Sequence, residues 1–296
     1  MTGWLWVIFT VLAAGGQTLR NAMQRELIAT LGTVGATHVR FLFGLPFALL
    51  FLAVVLYATG EPFPALNPRM LAWTFAGAAT QFAATATLLI AMRDKSFVLI
   101  TALNKIEPVH VALFGLVFLG DQITLPLAVA IIVATLGVVI MSWPKSASET
   151  LGFKPIMLGL LAGALFGASA IGYRGGMLSL EQGNFVVKAT STLVVGLVIQ
   201  VVVLSLYLLL SDRKTLVAIF KAWRPSMLAG FMGAFASQNW FLAFALESAA
   251  KVRTLALVEI LFAGLISRSL FKQSFASREG AGIVLIIAGV VILLNL

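Results

Sequence analysis

Four polar residues near the end of the first apolar segment are the first place where this sequence could bind a small molecule. Gln17, Arg20, Asn21 and Gln24 recur every three or four positions, a spacing that places them on one face of a helix. A guanidinium group on such a face can bind a substrate carboxylate through two parallel hydrogen bonds. The alternative is that Arg20 lies at the helix end, where its charged head reaches water while its stem stays in apolar surroundings.

A second polar face falls in the fourth apolar segment. Asn104, Glu107 and His110 are three residues apart and therefore share one side of a helix. Pro108 lacks a backbone N–H, so it is predicted to kink the helix there and to act as a hinge. We predict that Glu107 binds a substrate amine or a proton. The alternative is an internal ion pair or hydrogen-bond network that only holds helices together.

The remaining candidate binding residues are polar or aromatic side chains that interrupt other apolar segments. They are His38, Gln81, Tyr173, Arg174, Gln238, Asn239, Trp240 and Glu259. Trp240 lies in the middle of its segment, away from the segment ends where tryptophans of membrane proteins collect, which favours a stacking wall for a substrate. Arg174 has two alternatives, a structural pair with Glu181 or a lipid phosphate, and His38 has an interfacial role as its alternative.

The sequence offers no catalytic constellation. It has no cysteine, no phosphate-binding loop of the Walker type, no His/Asp/Glu cluster at metal-ligand spacing and no nucleophile beside a base. We therefore expect neither an enzyme nor a bound metal or cofactor, and transport driven by a gradient or by facilitated diffusion. The net charge of +9 is scattered between apolar segments, which argues against a nucleic-acid partner.

The elements that carry these residues are predicted to be transmembrane helices. Hydrophobic residues make up 60% of the chain and charged residues 10%, far below the roughly 25% charged residues of a soluble domain. Ten apolar segments are each about long enough to cross a bilayer as a helix: 4–24, 33–58, 70–92, 96–119, 124–143, 155–178, 184–211, 226–247, 252–272 and 277–295. The fold class is therefore an all-α membrane protein, placed in the cell inner membrane in contact with its lipids.

The chain also repeats itself. A shift of 152 positions brings Glu107 onto Glu259 and Gly137 onto Gly289 without a gap, which predicts two duplicated halves, 1–150 and 151–296. Five helices in a repeat is an odd number, so the second half must cross the membrane in the opposite direction. Inverted repeats of this kind are an architecture of transporters.

The residues resemble a known family at this point. Glu107-Pro108, the helix ending Phe118-Leu119-Gly120-Asp121 and the glycine-containing fifth helix around Gly137 resemble the EamA-type repeat of the drug/metabolite transporter superfamily. The resemblance implies ten helices around a central cavity and export of small metabolites, with the YddG-type amino-acid exporters as a subgroup. The second half departs from the pattern, because Ile260 follows Glu259 and Gln273 replaces the acidic helix ending.

Several functions remain open from the sequence. An amino acid needs a cation and an anion together, and Arg20 and Glu107 supply one of each. Other exported metabolites or cationic drugs are the alternative substrates, and a proton is the candidate coupling ion. A channel and a lipid-acting membrane enzyme are two further alternatives from other classes.

The orientation also has two answers. Loops after the odd-numbered helices carry more Lys and Arg residues than loops after the even-numbered ones. Positively charged loops stay in the cytoplasm, so the charge count predicts that both termini lie outside. The resemblance implies cytoplasmic termini instead.

Overall fold

The computed structural model describes residues 2–93, 103–142, 153–260 and 277–296, and within them every long element is a helix. In chain order these are α1 (Leu5–Leu42), α2 (Leu45–Thr59), α3 (Pro68–Arg93), α4 (Glu107–Phe114), α5 (Leu125–Ser142) and α6 (Phe153–Leu178). They continue as α7 (Phe185–Ser211), α8 (Arg213–Lys221), α9 (Trp223–Leu246), α10 (Ala249–Leu255) and α11 (Ser277–Leu294). The all-α prediction is confirmed.

The first predicted loop is helical. Helix α1 runs through residues 25–31 and is interrupted only at Gly32, whose φ of 64° and ψ of 178° are not helical; glycine adopts such a positive φ without the steric cost of a Cβ. The Gln24 side chain donates to the Ala36 carbonyl at 2.9 Å and bridges the interruption. The sequence prediction ended the first helix at residue 24, whereas residues 25–31 continue the helical backbone.

The predicted basic loop at 211–225 contains a further helix, α8. Asp212 caps its first turn by accepting hydrogen bonds from the backbone N–H and the hydroxyl of Thr215, and these bonds hold the pKa of Asp212 below its ordinary value. Ile219 is fully buried, while Arg213 and Lys221 are exposed. Helix α8 is therefore amphipathic, which the count of apolar residues alone did not reveal.

Three helical stretches are long and apolar enough to cross a membrane within the described residues: Thr30–Thr59, Ile156–Leu178 and Phe185–Ser211. Two shorter apolar helices are Glu107–Leu119 and Leu125–Met141. Many of their large apolar side chains face outward, such as Leu50, Val202 and Val117. An aqueous surface would not favour such exposure, and hydrocarbon does.

The chain divides into two compact units, and each unit takes helices from both halves of the sequence. One unit comprises Met1–Ala78 and Tyr173–Leu246. Its apolar core includes Leu31, Val39, Leu208, Ile219 and Ala229. Helix α1 packs closely against α9, since a Cβ on Gly230 would come within 2.5 Å of the Phe43 backbone.

The other unit comprises Ala79–Gly172 and Glu247–Leu296. Helices α5 and α11 pack through small residues, because a Cβ on Gly137 would lie 2.6 Å from the Gly282 carbonyl oxygen. A Cβ on Gly289 would lie 2.7 Å from Ala134. Close approach through glycine is how helices associate in lipid, where apolar burial offers little drive.

Some predictions fall outside the described residues. The link between the predicted halves at 144–152, the ninth predicted helix beyond residue 260, and Gln273 belong to this group. The count of ten helices, the halves 1–150 and 151–296 and their inverted relation therefore stay predictions.

Candidate functional site

The unit formed by Met1–Ala78 and Tyr173–Leu246 holds a buried polar cluster. Trp240 Nε1 donates to Gln17 Oε1 at 3.2 Å, so a predicted binding residue of α1 meets one of α9. The Trp240 ring is 5% exposed and stacks on Phe244 with ring centroids 6.1 Å apart. Gln17 of the polar face predicted on α1 therefore contacts a residue of this unit, whereas Asn21 of the same face is exposed.

Arg20 belongs to the same face and is 7% exposed. Its Nη2 donates to Asn21 Oδ1 at 2.8 Å. A Cβ on Gly233 would meet Arg20 Cδ at 3.7 Å and Arg40 Cβ at 3.5 Å, so both arginines border one glycine of α9. Arg40 also places its guanidinium carbon 4.4 Å from the centroid of the Phe41 ring. Arg40 was not among the residues predicted from the sequence.

Tyr173 joins the cluster from α6. Its hydroxyl accepts a hydrogen bond from Gln200 Nε2 at 2.8 Å, and its ring lies 4.9 Å from that of Phe241. Both polar partners are almost completely buried. Gln200 was missed from the sequence, although a lone amide inside the apolar α7 is the signal that could have found it.

Gln238 faces α7, where its Nε2 donates to Thr190 Oγ1 at 2.7 Å. Gln238 Oε1 and the Ser191 hydroxyl are buried and have no hydrogen-bond partner among the described residues. Buried polar atoms usually find partners, so these two are available to a bound molecule. Asn239 instead donates to the Phe235 carbonyl of its own helix at 2.8 Å, which turns its amide nitrogen toward the backbone.

His38 and Arg174 make contacts that hold helices together. His38 is fully buried, and its Nε2 lies 3.0 Å from Ser205 Oγ of α7. Arg174 Nε donates to the Phe244 carbonyl at 3.2 Å. A binding role for either residue stays a prediction.

The unit formed by Ala79–Gly172 and Glu247–Leu296 contains two ion pairs that join the segment 105–107, at the start of α4, to the segment 253–259, at the end of α10 and just after it. Arg253 Nε lies 3.0 Å from Glu107 Oε1, and Lys105 Nζ lies 3.1 Å from Glu259 Oε2. All four side chains are between 12% and 19% exposed. Lys105 and Arg253 were not predicted as partners.

The helix is interrupted immediately before each of these carboxylates. Lys105 and Ile106 form a turn before α4 begins at Glu107, with Pro108 as its second residue. Before Glu259 the backbone tightens into a 3₁₀ turn at Ala256–Val258. The second interruption needs no proline, so Ile260 does not remove the irregularity that the first half has.

The other candidates of this unit surround α4. A Cβ on Gly163 would lie 2.9 Å from the Asn104 carbonyl oxygen, and one on Gly167 would lie 3.3 Å from His110 Cβ. The His110 ring also lies 6.3 Å from that of Phe114. Gln81 is half-buried on α3, and its backbone carbonyl accepts from Thr85. Gly163 and Gly167 thus let α6 pack closely against the face that carries Asn104 and His110.

The candidates therefore form two groups. Gln17, Arg20, Asn21, His38, Tyr173, Arg174, Gln238, Asn239 and Trp240 lie in the unit that contains the amino terminus. Gln81, Asn104, Glu107, Pro108 and Glu259 lie in the other unit. Arg20 and Glu107, which the sequence analysis assigned to one amino-acid substrate, lie in different units, and their joint role stays a prediction.

Apolar helices that carry buried amides, arginines and ion pairs define a multi-pass α-helical membrane protein. Residues 1–143 match the model of the EamA-like transporter family, which confirms over those residues the resemblance stated from the sequence. Comparison with curated protein sequences gives no match.

One solved structure, described only as the crystal structure of a protein, has the same fold. It aligns over 98% of this chain and 95% of its own chain with a TM-score of 0.71, at 12% sequence identity. The similarity in fold to this structure includes residues after 143, which the family model does not match.

Proposed function

We propose that this protein is a secondary transporter that exports amino acids across the bacterial inner membrane by alternating access. The observation that carries the proposal is a set of buried polar side chains inside one unit of apolar helices, among them Arg20, Tyr173, Gln238 and Trp240. Polar groups inside a membrane protein are costly and mark substrate or ion pathways.

The buried side chains of this unit include groups that can bind the carboxylate, the ammonium group and the side chain of an amino acid. Arg20 is the partner for the carboxylate, because its planar group can hold both oxygens. Gln238 Oε1 and Ser191 Oγ are buried acceptors without a described partner and suit an ammonium group, which has only donors. Trp240 and Phe244 supply a stacked aromatic wall for an apolar side chain.

The ion pairs of the second unit suit the coupling step. Protonation of Glu107 would remove its attraction for Arg253, and the interruption before α4 supplies a place where the backbone can bend at Pro108. Helix interruptions at membrane depth are typical of transporters whose halves move relative to one another. We therefore propose that a proton is the coupling ion and that Pro108 is the hinge.

Export of cationic drugs is the weaker alternative. A cation would need an uncompensated carboxylate, whereas Glu107 and Glu259 each face a basic side chain. The other cluster contains two arginines, which repel a cation. These charges favour a substrate that carries a carboxylate.

Efflux from vesicles that contain the purified full chain tests the proposal. Labelled amino acids are loaded inside, and release is followed with and without an imposed pH gradient. Saturable efflux of at least one amino acid, accelerated by the gradient, is the expected result. Flux that grows linearly with concentration would indicate a channel, and no efflux of any amino acid would overturn the proposal.

The variant Arg20→Gln tests whether a loss of transport comes from weaker substrate binding or from general damage to the protein. Arg20 is buried in the cluster, whereas Arg69 is exposed at the start of α3. Loss of a charged hydrogen-bond partner costs about 1.5–3 kcal/mol, which corresponds to a roughly tenfold to hundredfold loss of affinity. Arg69→Gln, the matched control, should leave the KM of efflux unchanged, and equal behaviour of the two variants would remove Arg20 from the site.

A further inference from the structure

We infer that α8 forms a binding site for anionic phospholipids of the leaflet that it faces. The site is a basic surface at the boundary between headgroups and hydrocarbon, and its ligand is the phosphate diester of a lipid headgroup together with the nearest part of the acyl chains. The inference uses none of the buried polar side chains described above, and it holds whatever substrate the protein carries.

The chain places α8 at the surface of the bilayer. Helix α7 is apolar and long enough to cross a membrane, and it ends at Ser211. Asp212 has a φ of −155° and a ψ of 73°, which are not helical, so the helical path of α7 is broken before α8 starts at Arg213. A helix that begins directly after a membrane-spanning helix ends lies at the depth of the polar headgroups.

Helix α8 has one face toward the protein and one face outward. Ile219 is fully buried, and Thr215 and Ala218 are partly buried. The exposed side chains share the opposite face, since they recur at the spacing of a helix: Arg213, Lys214, Val217, Phe220 and Lys221. The outward face thus mixes three cations with two apolar side chains, a combination that suits the boundary between headgroups and acyl chains.

Further apolar side chains are exposed on both sides of α8 in the chain. Tyr207 and Leu210, in the last turns of α7, and Trp223, at the start of α9, are all more than half exposed. Tyrosine and tryptophan side chains collect at the interface between hydrocarbon and headgroups. The surface is therefore apolar enough to enter the acyl boundary and basic enough to bind phosphates.

The charge of this surface is complementary to an anionic lipid. Between residues 183 and 246 the sequence has a single acidic residue, Asp212. Both of its carboxylate oxygens accept hydrogen bonds from Thr215, so this carboxylate caps the first turn of α8. The cations of the outward face therefore face an anionic partner outside the chain.

A surface cleft of about 370 Å³ lies on α8, a volume in the range of small-molecule sites. Its lining is Arg213, Lys214, Val217, Ala218 and Lys221. The charged side chains of this lining have hydrogen-bond donors only, which suits a phosphate diester, because its oxygens are acceptors. Arg213 Nε donates to the Leu209 carbonyl at 2.8 Å, so its guanidinium group is anchored at the end of α7.

The inward face of α8 packs against the interruption of α1. A Cβ on Gly35 would lie 2.9 Å from Thr215 Cγ2 and 3.9 Å from Ile219 Cδ1. Ile219 also shares a core with Leu31, which directly precedes the interruption at Gly32. A lipid that binds the folded α8 therefore also stabilises the packing around this interruption.

Lipid binding to the purified full chain tests the inference. Phosphatidylglycerol and phosphatidylcholine with the same acyl chains are titrated onto the protein in detergent, and bound lipid is measured by mass spectrometry of the intact complexes. We expect phosphatidylglycerol to bind at least tenfold more tightly, and high salt in a matched fluorescence titration should reduce this preference by screening. Equal affinities would overturn the inference. Displacement of phosphatidylglycerol by an equal concentration of inorganic phosphate would also overturn it, since the cleft would then bind a free anion.

A double variant assigns the preference to α8. Each basic residue near an anionic surface contributes about fivefold in affinity, so Lys214→Gln/Lys221→Gln should weaken phosphatidylglycerol binding by at least tenfold and leave phosphatidylcholine binding nearly unchanged. Arg69→Gln/Lys154→Gln removes two exposed cations at the starts of α3 and α6 and should keep the preference. An unchanged preference in the first variant, or an equal loss in both, would overturn the inference.

A label on α8 measures its depth independently of affinity. The chain contains no cysteine, so Val217→Cys carries one spin label, and Leu50→Cys, an exposed position in the membrane-spanning stretch Thr30–Thr59, carries the control. In vesicles of equal parts phosphatidylglycerol and phosphatidylcholine, the label at 217 should be shielded from a water-soluble nickel complex but lie nearer the surface than the label at 50. Access of the nickel complex to position 217 as full as in water would overturn the inference.

The inference and the proposed function fail separately. Lipid binding and label depth are measured without a transported substrate, so they stand even if no amino acid is exported. Saturable amino-acid efflux by a protein that binds both lipids equally would leave the proposed function standing and end the inference.

Discussion

Arg253 Nε lies 3.0 Å from Glu107 Oε1, so a basic residue of α10 neutralises the carboxylate that begins α4. The reciprocal pair, Lys105 with Glu259, joins the same two segments. Glu107 and Glu259, which the predicted repeat relates to each other, thus each face a cation from the other predicted half of the sequence. It also means that neither carboxylate is open to a substrate amine without displacing a protein cation.

Replacing Glu107 with Gln should destabilise the protein. The change leaves Arg253 without its carboxylate in a site that is 12–17% exposed, and breaking a buried pair by removing one partner costs on the order of 3 kcal/mol. The unfolding free energy in mixed micelles measures this loss. Glu181→Gln, an exposed acid, is the control and should change stability by less than about 0.5 kcal/mol.

The double variant Glu107→Gln/Arg253→Met tells a structural ion pair from a coupling site. Removing both charges should recover most of the lost stability, because the unpaired cation is gone. If Glu107 carries the coupling proton, the recovered protein should still lose the response of efflux to a pH gradient. A recovered response would assign Glu107 a structural role only.

Trp240→Phe should weaken substrate binding modestly. The change keeps an aromatic ring against Phe244 but removes the N–H that donates to Gln17 at 3.2 Å. One such hydrogen bond contributes about 1 kcal/mol, so the KM of efflux should rise about fivefold. Trp223→Phe provides the comparison, since Trp223 is 52% exposed, and a similar rise there would count against a role for Trp240.

Gly230→Ala should disrupt the packing of α1 on α9. The new methyl group would lie 2.5 Å from the Phe43 backbone, and overpacking typically costs about 1–3 kcal/mol. A lower midpoint of thermal unfolding is the expected result. Gly15→Ala places its methyl group where no described atom lies within 4 Å, so it should be neutral or slightly stabilising. Equal midpoints for the two variants would show that α1 and α9 accommodate the methyl group at position 230 without loss of stability.

The amphipathic α8 makes the orientation testable. Its exposed Arg213, Lys214 and Lys221 and its exposed Val217 and Phe220 suit a helix in the plane of an anionic membrane surface. Basic residues favour the cytoplasmic side, which predicts that both termini lie outside. Alkaline phosphatase fused after Leu296 should then be active. A fusion that fluoresces only in the cytoplasm and lacks phosphatase activity would reverse this orientation.

The sequence by itself determined the class of protein and one side of the site. An excess of apolar residues cannot be buried in a soluble fold of this size, so the membrane follows from composition alone. The spacing of Gln17, Arg20 and Asn21 placed them on one face because the period of a helix is a local property. The interruption of the helix beside Pro108 is local for the same reason.

Only the tertiary structure decided which side chains meet. The sequence offered no reason to pair Arg253 with Glu107, because a polar residue inside an apolar helix shows that it needs a partner but not which partner it has. The contact of Tyr173 with Gln200 could not be predicted for the same reason. Helix formation depends on neighbours in the chain, whereas the choice of partner depends on how closely small residues such as Gly233 and Gly137 let two helices approach.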